Sequence, residues 1–365
     1  MTRRICAALA CLALGLGLLA GCAGQPKTTV SDNAQRFTAY YFDVFDTMTQ
    51  VIAYCDSQAE FDRQVEALHA DLVAYHQLYD IYNDYEGLNN IKTINDNAGV
   101  APVEVNQRII DMLELAVEMY DTTGGKLNVA MGSVLAVWHD YREAAEADPS
   151  DADNRLPTQE ELDAAAQHCD ISDLIIDREA GTVYLADPEM RLDVGSVGKG
   201  YAVEQVCLAA KERGLVSLSL SVGGNLRSVG TKPRGESWES GIVSPWDDSL
   251  LYGSSSSLLA AVRSNDQALV TSGDYQRFYT VDGVRYHHII DPDTLWPADY
   301  FTAVTILCPD SGLADCLSTG IFCMPLEEGM ALIESLDGVE ALWCTKDGQI
   351  IKSSGFEQYE IPLEG

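Results

Sequence analysis

Residues Leu192-Asp193-Val194-Gly195-Ser196-Val197-Gly198-Lys199-Gly200-Tyr201-Ala202-Val203 run from an apolar, strand-like stretch through three glycines into a helical pattern. Val203, Val206, Cys207 and Ala210 share one helical face, and Gly214 stands where a C-terminal cap belongs. A strand–turn–helix unit of this kind aims backbone N–H groups and the positive end of a helix at whatever lies in front of it, commonly a phosphate. Lys199 adds a full charge. The spacing is neither that of a Walker A loop nor GxGxxG, and glycine before a helix often serves only to permit the turn. The stretch nominates an anion site without naming the anion.

The rest of the chain sets the fold class. Phe42, Val44, Met48 and Val51 predict a strand with a buried face across Tyr40 to Tyr54. Phe61, Val65, Leu68, Leu72, Tyr75 and Leu78, three and four apart, predict a long amphipathic helix over Asp56 to Tyr82. Asp80 to Gly99 reads as loop, and Asn106 as the N-cap of a second helix. Glu143 to Asn154 reads as an acidic, solvated insertion, followed by a capping box, Thr158 with Glu161. Beyond Gly214 strands dominate: Val216 to Val222, Ser240 to Ser244, Leu259 to Arg263, Phe278 to Val281, Val284 to Ile290 and Phe301 to Leu307. Asp282-Gly283 and Asp347-Gly348 mark hairpins. Helices are expected from Asp310 or Ser311 to Met324 and from Glu327 to Leu336. Strand runs with separate helices indicate an α+β architecture.

The formal net charge is −33 over 365 residues. So acidic a chain excludes nucleic acid and a polybasic membrane contact, and an anionic ligand must be held by a local arrangement against the overall field. Arg3 and Arg4, the apolar run Ile5 to Leu19 and then Leu19-Ala20-Gly21-Cys22 have the layout of an export signal. The last four residues resemble a bacterial lipobox, which makes Cys22 the lipidated first residue of the mature protein. The expected layout is a leader over 1–21, a lipidated cysteine and tether over 22–36, and one functional domain over 37–365. Cys55, Cys169, Cys207, Cys308, Cys316, Cys323 and Cys344 remain, odd in number and without C-x-x-C spacing. That pattern argues against a thiolate metal site and leaves a disulfide open.

The glycine turn also resembles the D-x-G-x-x-x-K-G-Y signature of the ApbE family, the FAD:protein FMN transferases. Thr271-Ser272-Gly273-Asp274-Tyr275 resembles the family's S-G-D-Y element, His288-Ile289-Ile290-Asp291-Pro292 its H-I-I-D-P, and Leu313 to Thr319 its A-D-A-L-A-T. Phe45-Asp46-Thr47 resembles its early M-G/D-T motif, Gly125-Lys126-Leu127-Asn128-Val129 its G-A-F-D-P-T segment, and Gly223-Gly224-Asn225 its G-G-x element. Six of these elements, in family order, span Phe42 to Met324.

The resemblance implies a T-fold-like arrangement of mixed sheets with flanking helices. It implies that Asp315 and Thr319, with an oxygen of Ser196, hold Mg²⁺. By themselves, a carboxylate and a hydroxyl four apart on a helix would be read as a solvent-facing pair. It further implies that Asp193, Lys199, Phe45, Tyr85, Lys126, Leu127 and Asn128 contact FAD and that His288 acts as the base. The neighbouring His287, on the other side of a strand, is expected to face solvent, and Asp291 to form a turn. Phe45, Gly198, Leu295 and Asn128 depart from the commoner family residues. The implied reaction moves FMN from FAD to a threonine of a partner flavoprotein, a membrane redox-complex subunit, outside the cytoplasm. An FAD pyrophosphatase and a flavin-binding lipoprotein are the alternatives.

Overall fold

The computed structural model describes residues 29–147, 156–246, 258–275 and 277–363. The leader, Cys22 and the tether as far as residue 28 lie outside the described residues. No described helix is long and apolar enough to cross a membrane.

Eight strands form the main sheet: β1 Gln35–Val44, β2 Thr47–Cys55, β3 Leu218–Val222, β4 Asn225–Val229, β5 Ala268–Gly273, β6 Phe301–Cys308, β7 Glu340–Thr345 and β8 Ile350–Lys352. They lie side by side in chain order, each antiparallel to the next. Each half of the sheet has the same plan, two strands, then helices, then two strands.

In the first half the helices are α1 Gln58–Tyr79, α2 Ile91–Asp96, α3 Gln107–Thr122, α4 Gly132–Ala147, α5 Gln159–Ala166 and α6 Gly198–Glu212. In the second half they are α7 Ser311–Phe322 and α8 Leu326–Glu334. α6 packs between α1 and α7, and α7 covers β5 and β6. The predicted faces are the buried ones. α1 buries Phe61, Val65, Leu68, Leu72, Tyr75 and Leu78, each such side chain stabilising by roughly 1.5–3 kcal/mol. α6 buries Val203, Val206, Cys207 and Ala210. Gly214, at φ 92°, takes the left-handed conformation a helix C-cap needs. Asn106 and the Thr158–Glu161 capping box cap their helices as read.

The opposite face of the sheet is covered by a small sheet of Glu239–Val243, Leu258–Arg263 and Glu360–Ile361, through Ile242, Val262, Leu307, Leu342 and Phe356. Every residue of β6 is therefore buried. A third cluster, Met131, Val134, Trp138, Leu162, Tyr279, Val281 and Ile290, joins α4 and α5 to the hairpin Phe278–Val281/Val284–His287. The α+β expectation holds. Of the seven cysteines of the described residues, six are buried and Cys169 is partly so.

Five local expectations change. The stretch Asp80 to Gly99, read as loop, contains α2, started by a capping box of Asn90 with Thr93. Tyr40 to Tyr54 is two strands joined by a turn at Phe45 and Asp46, with φ 54° and 49°. Neither residue is glycine or asparagine, so the two-residue hairpin carries no ordinary signal. Val44 and Val51 are buried as expected, but Phe42 and Met48 stand 73% and 50% exposed. α1 stops at Tyr79 because the Asp80 carboxylate accepts from the N–H groups of Tyr82 (2.7 Å) and Asn83 (3.1 Å). The acidic stretch begins as helix, since α4 continues to Ala147, and its remainder to Asn154 lies outside the described residues. The strand after Gly283 ends at His287, three residues early.

Candidate active site

A cleft of about 800 Å³ opens between the helical core and the third cluster. Lys126, Leu127, Asn128, Asp193, Ser196, Lys199, His288, Asp315 and Thr319 all line it. The chain brings them there from four separate segments. Two expected residues do not reach it. Phe45 sits in the hairpin turn with its ring edge-on to His76, and only its neighbours Asp46 and Thr47 line the cleft. The Tyr85 hydroxyl donates to Asp80 at 2.7 Å, while Tyr82 lines the cleft beside the His139 ring. In a loop the aromatic that faces inward is decided by the turn, and Asp80 makes that turn.

The floor of the cleft is where α6 meets α7. The Gly200 N–H donates to Asp315 Oδ2 at 2.8 Å. A Cβ on Gly200 would fall inside van der Waals contact with Ser311 O and Asp315 Cβ, so only glycine lets the two helices approach this closely. The buried Glu204–Arg227 pair sets the same junction: Glu204 Oε2 accepts from Arg227 Nε (2.8 Å) and from Ser311 N at the start of α7 (2.9 Å).

Asp315 is 5% exposed and has no ion-pair partner among the described residues. Burial raises its carboxyl pKa, opposed by the charge of Lys199 and the Gly200 N–H. One helical turn on, Thr319 Oγ1 lies 3.4 Å from Ser272 Oγ, which is 2.8 Å from Ser318 Oγ. Among the described residues no three His, Cys, Asp or Glu side chains gather as a metal group. What the floor offers a cation is one desolvated, unpaired carboxylate, nearby hydroxyls and the glycine-turn oxygens. That donor set fits Mg²⁺, which binds through one or two carboxylates and keeps sites for waters and phosphates.

The two histidines behave differently from expectation. His287, read as solvent-facing, is 5% exposed, with Nε2 2.9 Å from Ala298 O and its ring edge-on to Phe322. Since a carbonyl only accepts, Nε2 carries the proton, and Nδ1 accepts from Ile289 N (3.3 Å). The imidazole is fully used in holding the end of the hairpin, because α7 covers the face that an isolated hairpin would turn to water. His288 has the opposite tautomer. Its Nδ1 donates to Arg277 O (3.2 Å), leaving Nε2 unprotonated and without a partner among the described residues. The ring is exposed to the cleft. Desolvation by the surrounding cleft walls, with the positive charges of Arg277 and Lys199, pushes its pKa down to about 3. His288 is therefore a neutral acceptor at ordinary pH.

Lys199, Arg142, Arg191 and Arg277 stand around the cleft of an otherwise acidic protein. Asp46, Asp140, Glu143, Asp193 and Asp315 line it too, so the cleft is balanced in charge where the chain as a whole is strongly acidic, and an anionic ligand meets cations there at particular points. Lys199 Nζ also donates to Gly195 O at 3.2 Å, closing the glycine turn, and Asp193 Oδ1 accepts from Gly195 N at 2.8 Å. Lys126 is already neutralised by Asp291 (2.8 Å) and Asp293 (2.9 Å). Asp291 is thus a buried ion-pair partner as well as a turn-former. Asn128 spends its amide on Cys169 O (3.0 Å) and Ala130 N (2.9 Å), shaping the backbone. Sequence reasoning missed Tyr82, Arg142, Arg277 and Asn225. Tyr82 competes with Tyr85 in the same Tyr/Asn-rich loop, and Asn225 is the third residue of the Gly223-Gly224-Asn225 element, where no role was given to it; Arg142 and Arg277 had no local signal.

The ApbE family model matches residues 45–343. An FAD:protein FMN transferase of Treponema pallidum is 30% identical, covering 95% of this chain and 92% of its own. One of Klebsiella pneumoniae is 28% identical over 79% of this chain and 86% of its own. The crystal structure of the ApbE protein of Thermotoga maritima superposes with a TM-score of 0.75 at 26% identity, over 90% of this chain and 100% of that one. The flavin transferase ApbE of Vibrio cholerae gives 0.73 at 25% identity, over 89% and 100%. With the motifs gathered in one cleft and the match running through most of its length, this chain belongs to the ApbE family.

Proposed function

We propose that this protein is an FAD:protein FMN transferase that moves the FMN moiety of FAD onto a threonine hydroxyl of an acceptor flavoprotein, with AMP as the leaving group. The observation that carries the reading is His288, a neutral imidazole with a free Nε2, in the same cleft as the unpaired carboxylate Asp315 and the positive start of α6. FAD lies with its pyrophosphate against the Asp193–Lys199 turn. The threonine oxygen forms a bond to the FMN-side phosphorus as the bond to the bridging oxygen of AMP breaks. His288 Nε2, the free acceptor in the cleft, takes the threonine proton. Lys199 and the α6 N–H groups hold the phosphate charge, so positioning and neutralisation do most of the work. Asp315 and Thr319, with an oxygen of Ser196, would hold Mg²⁺, which when bound supplies further neutralisation of the pyrophosphate. The lipobox reading of Cys22 puts the enzyme on the outer face of the cytoplasmic membrane, beside an acceptor subunit of a membrane redox complex.

The test combines the full chain with FAD, Mg²⁺ and a threonine-bearing acceptor protein. FMN on the acceptor by mass spectrometry, with one AMP per transfer, supports the reading. Free FMN and AMP without acceptor labelling would make the protein a pyrophosphatase, and unchanged FAD would make it a flavin binder.

A further inference from the structure

One buried group in the cleft has no use in the proposed chemistry. Asn225 opens β4 directly after Gly223 and Gly224, whose φ values of 55° and 93° make the tight turn from β3. It is 2% exposed and lines the cleft. Alternation along β4 puts Asn225 and Arg227 on the same face of the sheet, the face on which Arg227 meets Glu204 of α6. Two residues earlier, Asn225 lies beside Asp315, and its side chain exerts a hydrogen-bonding pull on that carboxylate. A carboxylate only accepts, so the amide NH₂ is the end turned towards Asp315.

That orientation leaves Asn225 Oδ1, which is buried with no hydrogen-bond partner. Orphaned buried acceptors are costly and call for an explanation. Among the described residues with such an atom, only Asn225 and Tyr279 line the cleft; Ser311, whose Oγ is also unpartnered, lies one turn before Asp315 on α7 but does not line it. An acceptor with no donor in reach, beside a desolvated carboxylate with no counter-ion, is arranged for a cation or for a water the cation holds.

We propose that Asn225 is a positioning residue of the divalent-cation site, its amide steadying Asp315 and its Oδ1 serving the cation, directly or through a bound water. The inference rests on the reading of Asp315 and Thr319 as that site. It extends the site across the sheet: the glycine turn and Asn225 come from the first half of the chain, Asp315 and Thr319 from the second.

The test is metal affinity, measured on the full chain with FAD present by the loss of the free Mn²⁺ EPR signal on titration. Asn225→Ala should weaken Mn²⁺ binding roughly 10–100-fold, the usual effect of losing a group that supports a metal ligand. Asn225→Asp loses the NH₂ that faces Asp315 but keeps an acceptor oxygen and adds a second carboxylate, whose attraction for the cation outweighs that loss, so it should bind Mn²⁺ at least as tightly as wild type. A purely structural role would not be rescued in that way. Wild-type affinity in Asn225→Ala, or affinity in Asn225→Asp as weak as in the alanine variant, overturns the proposal. Should Asn225→Ala fail to fold, the aspartate variant decides alone against wild type: tighter or equal binding supports it and weaker binding overturns it. Asp315→Ala serves as the control. Unchanged Mn²⁺ binding there would overturn the cation site itself, whereas loss there with none in Asn225→Ala removes only Asn225.

Discussion

The N–H of Gly200, three residues into α6, donates to the carboxylate of Asp315 at 2.8 Å across 115 residues of sequence. One bond joins the anion-binding turn to the acidic helix, and it exists only because Gly200 has no side chain. Gly200→Ala should push α6 and α7 apart. Overpacking of this kind typically costs about 1–3 kcal/mol, and transfer activity should fall by more than the folded fraction does. Thermal melting beside a transfer assay checks this; a variant with wild-type melting and activity would show that the junction is looser than described.

Asp315 is expected to trade stability for function. Burial disfavours its charged form, so the metal-free protein carries an unfavourable carboxylate at every pH above the raised folded pKa. Asp315→Asn keeps an acceptor for Gly200 and removes the charge. Without metal, at neutral pH, it should melt higher than wild type, by about 2–4 °C for each kcal/mol recovered, and it should transfer no FMN. FAD affinity should drop only moderately, because the ring contacts remain. Calorimetry and flavin fluorescence read the two effects separately.

His288 and His287 should separate cleanly. His288→Ala removes the free acceptor and should slow transfer roughly 10²–10⁴-fold, with little change in melting. His287→Ala leaves Ala298 O and Ile289 N unpaired in a buried site, which costs about 1–3 kcal/mol. It should lower the melting temperature while leaving the folded enzyme active. Inactivity confined to the His287 variant would assign the base to the wrong ring.

The same pair sets the response to acid. Both histidines have folded pKa values below their ordinary value, His288 at about 3. The unfolded chain therefore binds more protons between about pH 6.5 and 3. Their contribution to stability is whole above about pH 6.5 and is lost as the pH falls towards 3. Transfer rate should show no acid limb near pH 6.5, and its decline should appear only at lower pH together with unfolding. A single ionisation near 6.5 in kcat would refute the neutral, enclosed His288.

Anchoring is tested apart from catalysis. Cys22→Ala should abolish lipid attachment and release the protein from the membrane fraction, with transfer to a soluble acceptor unchanged. A lipid-modified, membrane-bound Cys22→Ala protein would end the lipobox reading.

Much of this was legible in the residues, for reasons that differ by element. The faces of α1 and α6 follow from 3.6-residue periodicity, which burial enforces wherever the helix packs. Asp315 and Thr319 could be placed on one helical face, but not beside Gly200, because that contact depends on two helices meeting. The hairpin at Phe45 and Asp46 stayed hidden since tertiary packing holds two ordinary residues at positive φ. Tyr82 and Tyr85 are equivalent in composition, and only the Asp80 side chain decides between them. His287 was misjudged because strand alternation tells which residues face apart, not which of the two faces will be covered.

The sheet has one narrow seam. Where β4 meets β5, the register joins only Ala268 to Arg227 and Leu269 to Leu226, fewer pairs than between any other neighbours in the sheet. The glycine turn and Asn225 lie on one side of it; His288, Asp315 and Thr319 lie on the other. The two halves meet through few backbone bonds, and the reacting groups span the line between them. A bound ligand that touches both sides is thus also a clasp: substrate and cation add a tie across a seam that the strands bridge only sparingly and that is otherwise closed by side chains, in the shared core and where α6 meets α7.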